Sequence, residues 1–226
     1  MDFLVVFRNG NFSFLMTGLA ATVFYTITGF VLSMLIGLIV AFGQLSKKKV
    51  CRTVAEIYLS WFRSTPLLVQ LVLIYYGLPI LFHIDTKDWV CGIIALGMYS
   101  GAYVSQVIRG AIVSIDKGQM EAGRSLGYSQ GQTMRKIVLP QAFRRMLAPL
   151  TNELISLTKN SSLLSCITVA ELFRQANTLI AKNFKTMEVY IFVAILYYIL
   201  NNIFGVIGKV LEKKLRTGEE LEGAEK

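Results

Sequence analysis

The stretch NGNFSFLMTGLAATVFYTITGFVLSMLIGLIVAFGQLS, residues 9–46, lies between Arg8 and Lys47 and carries no charged side chain. A helix needs about 20 predominantly apolar residues to cross the hydrocarbon core of a bilayer, and this run is longer. The apolar part of a cleaved secretory signal is short, about 7–15 residues ending in small side chains, whereas here it continues through Phe42. It reads as a permanent span over about residues 12–43.

Similar runs follow. Ser64 to Ile84, Trp89 to Ile108 and Val189 to Gly208 are free of acidic and basic residues apart from the neutral His83. A further hydrophobic segment, about residues 143–169, is interrupted by Glu153 and Lys159. One such run alone is compatible with a buried helix of a soluble core; five together are not. The sequence predicts an all-α membrane protein with five spans, about 12–43, 54–82, 89–111, 143–169 and 188–211. Residues 1–218 form one transmembrane domain in this reading, and the charged tail 219–226 is predicted to be disordered. Composition agrees: 54% of the 226 residues are hydrophobic and 16% charged, against about 25% charged in soluble domains.

The net charge of +9 raises nucleic-acid binding, but its distribution argues against it. With the N-terminus outside, five spans place three basic clusters on the inner side. These are Lys47, Lys48, Lys49 and Arg52; Arg109 through Arg145; and Lys209 through Lys226. Arg8, Lys87, Arg174, Lys182 and Lys185 are left outside. Cytoplasmic loops are enriched in Lys and Arg, so the expected topology is N-out, C-in, and no nucleic-acid partner is expected. Cys51, Cys91 and Cys166 form no CxxC pair and read as packing residues. The single histidine, His83, has no second ligand set nearby. No metal site is expected.

The inward loop over about residues 112–142 has internal signals. Asp116 can cap a helix start, with Gln119 in capping-box position. Gly127 suits the residue past a helix end, and Ser129 a second N-cap. The loop is expected to hold a short helix, Lys117 to Leu126, then a second helix ending near Pro140. The short helix carries Met120, Ala122, Gly123 and Leu126 among polar neighbours, a small face for a cytosolic partner.

Glu121-Ala122-Gly123, then Gly127, then Ile137-Val138-Leu139-Pro140 resembles the "EAA" loop of permease subunits of ABC-type importers. Gly123 stands where that family usually has a second alanine. Arg63 to Gln70 with Tyr75 to Pro79, Ala102-Tyr103-Val104 with Ile108-Arg109-Gly110, Lys159 to Leu163, and Glu171 to Ala176 are similar to polar amino-acid permeases, cystine and basic amino-acid types included. That family often has Glu where this chain has Gln106. The resemblance implies a type I importer fold and a coupling helix, with Gln119, Glu121, Ala122, Gly123, Arg124, Gly127, Leu139 and Pro140 serving the ATPase contact. It also implies the partners: a cytoplasmic ABC ATPase dimer, a second permease subunit (an identical or a related chain), an extracytoplasmic binding protein and an amino-acid substrate. ATP and Mg would reside on the ATPase, and this chain would bind no cofactor.

Ionisable groups inside a span usually face protein or water. Glu153 follows Asn152, with Ser156 at i+3, and Lys159 and Asn160 about two turns on. This set offers an acceptor and a donor to a zwitterionic amino acid; tying the helix to its neighbours is the other reading. Arg63 precedes Thr65-Pro66, where proline disfavours helix. Either a break exposes polar groups to a cavity, or Arg63 sits at the cytoplasmic interface. Ser100, with Tyr99, could complete a pocket or pack between helices. Gly97 and Gly101, and Gly18, Gly29 and Gly37, read as helix-packing positions.

A membrane-embedded enzyme is disfavoured: no GxSxG, HExxH or phosphate-cradling loop is present. The missing phosphate loop also means that the chain does not hydrolyse ATP itself. A stand-alone secondary carrier or channel is the alternative, although five spans do not divide into two equal repeats.

Overall fold

A computed structural model describes residues 3–83 and 86–215; the tail 219–226 lies outside the described residues. After a 3₁₀ turn at Phe3–Phe7, nine α-helices follow among the described residues: α1 Asn11–Leu45, α2 Lys49–Ser64, α3 Leu67–Phe82, α4 Asp88–Val113, α5 Lys117–Ser125, α6 Gln130–Thr133, α7 Leu139–Asn160, α8 Leu172–Asn183 and α9 Thr186–Leu215. No strand occurs among them.

Helices α1, α4 and α9 are each long and apolar enough to cross a membrane. Their bounds lie within a few residues of three of the expected spans. The expected span over 54–82 is not one rod: the axis turns by 109° between α2 and α3, which pass the same criterion only as a bent pair. Thr65 and Pro66 are extended there, because proline disfavours helical backbone at the preceding residue. Gln70 stabilises the elbow. Its Nε2 reaches Phe62 O at 3.1 Å, Thr65 O at 3.1 Å and Thr65 Oγ1 at 2.6 Å.

α1 and α4 run side by side in the same direction. A Cβ on Gly29 would lie 3.2 Å from Leu96 Cβ, and one on Gly37 would lie 2.6 Å from Val104 Cγ1. The glycines therefore let two backbones approach closely, as small residues do between membrane helices. α7 runs opposite to α9, with Thr151 against Gly208 and Ile155 against Gly205.

The expected second loop helix does not end near Pro140. Helical structure runs from Gln130 through a π-turn at Met134–Val138 into α7. Leu139 N–H bonds Met134 O, an i→i−5 bond that widens the turn just where Pro140 supplies no N–H of its own. Of the cysteines, Cys91 packs in the core, whereas Cys51 and Cys166 are exposed.

Candidate functional site

Asp116 caps α5, its carboxylate accepting from Gly118 N at 2.6 Å. Gln119 does not complete a capping box. Its Oε1 accepts from Gln141 Nε2 at 3.1 Å, which ties α5 to α7. Ser129 N-caps α6 in a full capping box with Gln132. Gly127 has φ 85°, a left-handed conformation that suits glycine.

The small face expected on α5 divides in two. Met120 packs on the core formed by α4 and α7, and Gly123 is buried. Glu121, Ala122, Arg124 and Ser125 are exposed, and Leu126 is 76% exposed. An apolar side chain so exposed beside charged ones is suited to a protein partner. Leu139 and Pro140 do not join this surface; they line a groove between α1 and α7.

Arg145 Nη1 donates to Ser114 O at 2.6 Å and Ser114 Oγ at 3.1 Å, joining the end of α4 to α7. The continuous helical run from Gln130 to Asn160 has a contour of about 45 Å at 1.5 Å per residue, through the π-turn and past Pro149. It carries Thr133, against which Gly123 is seated, near one end and Glu153 toward the other.

Glu153 faces α4. Ser100 Oγ donates to its Oε1 at 2.9 Å. One helical step from Ser100, Tyr99 and Tyr103 have their hydroxyls 3.3 Å apart, and the Arg63 guanidinium lies 6.0 Å from the centre of the Tyr103 ring. Glu153 of α7 and Arg63 of α2 thus each contact the same stretch of α4, at Ser100 and Tyr103 respectively. Arg63 is exposed. The Thr65 hydroxyl is taken into the elbow, donating to Trp61 O at 2.8 Å while accepting from Gln70. Gln106 Nε2 donates to Gln44 Oε1 of α1 at 2.9 Å.

Lys159 does not join Glu153. Six helical residues amount to a rotation of about 240°, so the two leave opposite flanks of α7. Lys159 instead lines a groove of about 720 Å³ with Phe173, Tyr190, Tyr197 and Asn201. Asn152 is exposed, and Ser156 and Asn160 are half-buried.

Glu171 has no individual role legible in the sequence, yet it anchors two helices. It is fully buried and caps α8, accepting from Phe173 N at 2.8 Å and Arg174 N at 2.7 Å. It also accepts from Tyr197 Oη of α9 at 3.0 Å. A Glu opening an amphipathic segment was the available signal.

The described residues form an all-helical domain with membrane-length helices, in which the exposed α5 is tied to a helix carrying a half-buried carboxylate. The chain belongs to the family of binding-protein-dependent transport system inner membrane components, which matches residues 33–217. It is 40% identical over 199 residues to the L-cystine transport system permease protein TcyB of Bacillus subtilis (strain 168), covering 88% of this chain and 85% of that one. It is 36% identical over 203 residues to the glutamine transport system permease protein GlnP of Escherichia coli (strain K12), covering 89% and 93%. A crystal structure of an amino acid ABC transporter with histidines matches with TM-score 0.87 and 35% identity, over 95% of this chain and 99% of that one.

The chain is therefore the inner-membrane permease subunit of an ATP-driven importer, with the type I importer fold, and not a stand-alone carrier or channel. Such subunits are not catalytic: a separate ATPase hydrolyses ATP, and a substrate-binding protein delivers the solute.

Proposed function

We propose that the chain crosses the membrane five times, N-terminus outside, and moves an amino acid inward, with α5 as the coupling helix. The parallel course of α1 and α4 supports the count: the bent α2–α3 pair must return the chain across the bilayer between them. α7 with its 3₁₀ extension Ser161–Ile167 and then α9 supply the last two passes. In this reading the exposed Glu121, Ala122, Arg124 and Leu126 meet a cytoplasmic ATPase dimer that carries ATP and Mg. A second permease subunit, an identical or a related chain, completes the path, and the binding protein docks outside.

The amino acid sits between Glu153 and Arg63. Glu153 receives the α-ammonium, Arg63 the α-carboxylate, and Tyr99 and Tyr103 line the stretch of α4 that both contact. The observation that carries this reading is the unbroken helical run from Gln130 to Asn160, on which α5 is seated at Thr133 and Gln141 and which bears Glu153. Movement of α5 is transmitted through Thr133 and Gln141 to the carboxylate. Names of the relatives include cystine and glutamine, so the substrate is a polar amino acid. The test is ATPase stimulation of the reconstituted complex by its binding protein and a panel of amino acids, wild type against Glu153→Ala. Loss of stimulation with intact assembly is expected; undiminished stimulation would move the substrate away from Glu153.

A further inference from the structure

A groove of about 450 Å³ runs between α1 and the start of α7. Met34, Leu35 and Leu38 of α1 form one wall, Leu139, Phe143 and Met146 the other, with Ile108 of α4 as its floor. Its one charged lining residue is Arg135, and no acidic side chain lines it among the described residues. Arg135 is exposed, and its guanidinium has no hydrogen-bond or ion-pair partner among the described residues.

The groove is open at the surface, and in the five-span reading α1 meets bilayer along this face. Leu35 is 58% exposed, Leu38 44% and Phe143 47%. The first two continue an outward apolar stripe of Phe24, Ile27 and Val31 along the uncharged α1. That surface can face only lipid or another membrane helix. The groove lies toward the end of α1 that leads into Lys47, Lys48 and Lys49, the end that meets headgroups.

We infer that this groove binds a phospholipid with an anionic headgroup, its phosphodiester on Arg135 and one acyl chain along Leu35, Leu38 and Phe143. Charge complementarity favours lipid over a further helix. A lone cation beside an otherwise apolar channel matches an anion that carries a long apolar chain, and arginine forks onto phosphate. Arg135 lies in the π-turn that joins the α5 side of the molecule to α7, so the lipid would bear on that joint.

The test titrates phosphatidylglycerol or phosphatidylcholine into the delipidated intact transporter complex and counts bound lipid by native mass spectrometry. A basic residue near an anionic surface contributes about 1 kcal/mol, so wild type should prefer phosphatidylglycerol by about fivefold. Arg135→Gln should abolish that preference, weakening phosphatidylglycerol more than phosphatidylcholine, whose choline cation offsets its phosphodiester. Leu38→Trp, which fills the channel, should weaken both. Lys136→Gln should leave the preference intact, because Lys136 lies 4.9 Å from the centre of the Tyr128 ring and does not line the groove. A preference that survives Arg135→Gln, equal binding of both lipids by wild type, or indifference to Leu38→Trp would overturn the proposal. So would a disulfide from Leu38→Cys to a partner subunit, since a protein would then fill the groove.

Discussion

A Cβ placed on Gly123 would lie 2.4 Å from Thr133 Cγ2 and 2.9 Å from its Oγ1. No real Cβ tolerates the shorter distance, and the β-branched Thr133 cannot swing aside freely. The absence of a side chain at Gly123 is what lets Thr133 sit against the α5 backbone. Gly123→Ala should therefore loosen the α5 joint at a cost of about 1–3 kcal/mol. The expected result is a lower melting temperature of the complex and less ATPase stimulation per transported solute. Adding Thr133→Ala should restore both. A single variant as stable and as well coupled as wild type would show that α5 is not seated as described.

Ser100 and Glu153 yield a second prediction. Ser100→Ala removes one hydrogen bond from a half-buried carboxylate, a loss of about 1 kcal/mol. Half-maximal stimulation by amino acid should then need several times more substrate. Arg63→Ala should impair stimulation nearly as much as Glu153→Ala, whereas Lys159→Ala should leave it close to wild type. Concentration curves in proteoliposomes decide between them. An Arg63→Ala complex with an unchanged curve would remove the guanidinium from the site.

Much of this fold is legible in the sequence. Charge-free runs locate α1, α4 and α9 because lipid tolerates little else over that length. Thr65-Pro66 marks a helix break, but nothing in the sequence fixes the 109° turn, which depends on Gln70 binding back across the elbow. Pro140 reads as a stop, yet a π-turn absorbs it. Glu153 and Lys159 read as one stripe by proximity along the chain, and helical rotation separates them. Gly123 reads as part of an outward docking surface but is buried, because its neighbour Thr133 comes from a different element and pairs with it only in three dimensions. Glu171 belongs to the same class: its partners lie on α8 and α9.

Gln70 is 2% exposed, and all three of its Nε2 contacts are to the elbow. Gln70→Ala should cost about 1–3 kcal/mol, since the Thr65 and Phe62 carbonyls lose a buried donor. Gln70→Glu should be worse than Gln70→Leu, because it replaces the donor with a group that only accepts. Denaturation of the purified complex, followed by protease sensitivity around Ser64–Pro66, reads the effect. Equal stability for all three variants would mean that the elbow is held by the α4 contacts of Leu59 and Phe62 instead.

Glu171 makes its two cap bonds and its Tyr197 bond with one fully buried carboxylate. Glu171→Ala removes the cap, about 0.5–2 kcal/mol, and one hydrogen bond of the Tyr197 hydroxyl, about 1 kcal/mol more; Thr22 and Ser161 still contact that hydroxyl. Tyr197→Phe leaves the cap in place and should cost about 1 kcal/mol. Hydrogen exchange distinguishes the two. The first-turn amides of α8, Phe173 and Arg174, should lose protection in Glu171→Ala and keep it in Tyr197→Phe. Because Leu172 N also bonds Thr22 Oγ1 of α1 at 3.1 Å, Thr22→Val should expose the Leu172 amide while the next two stay protected. If Glu171→Ala leaves all three amides protected, packing of Leu172, Ala176 and Leu179 against α1 and α9 holds α8 without its cap.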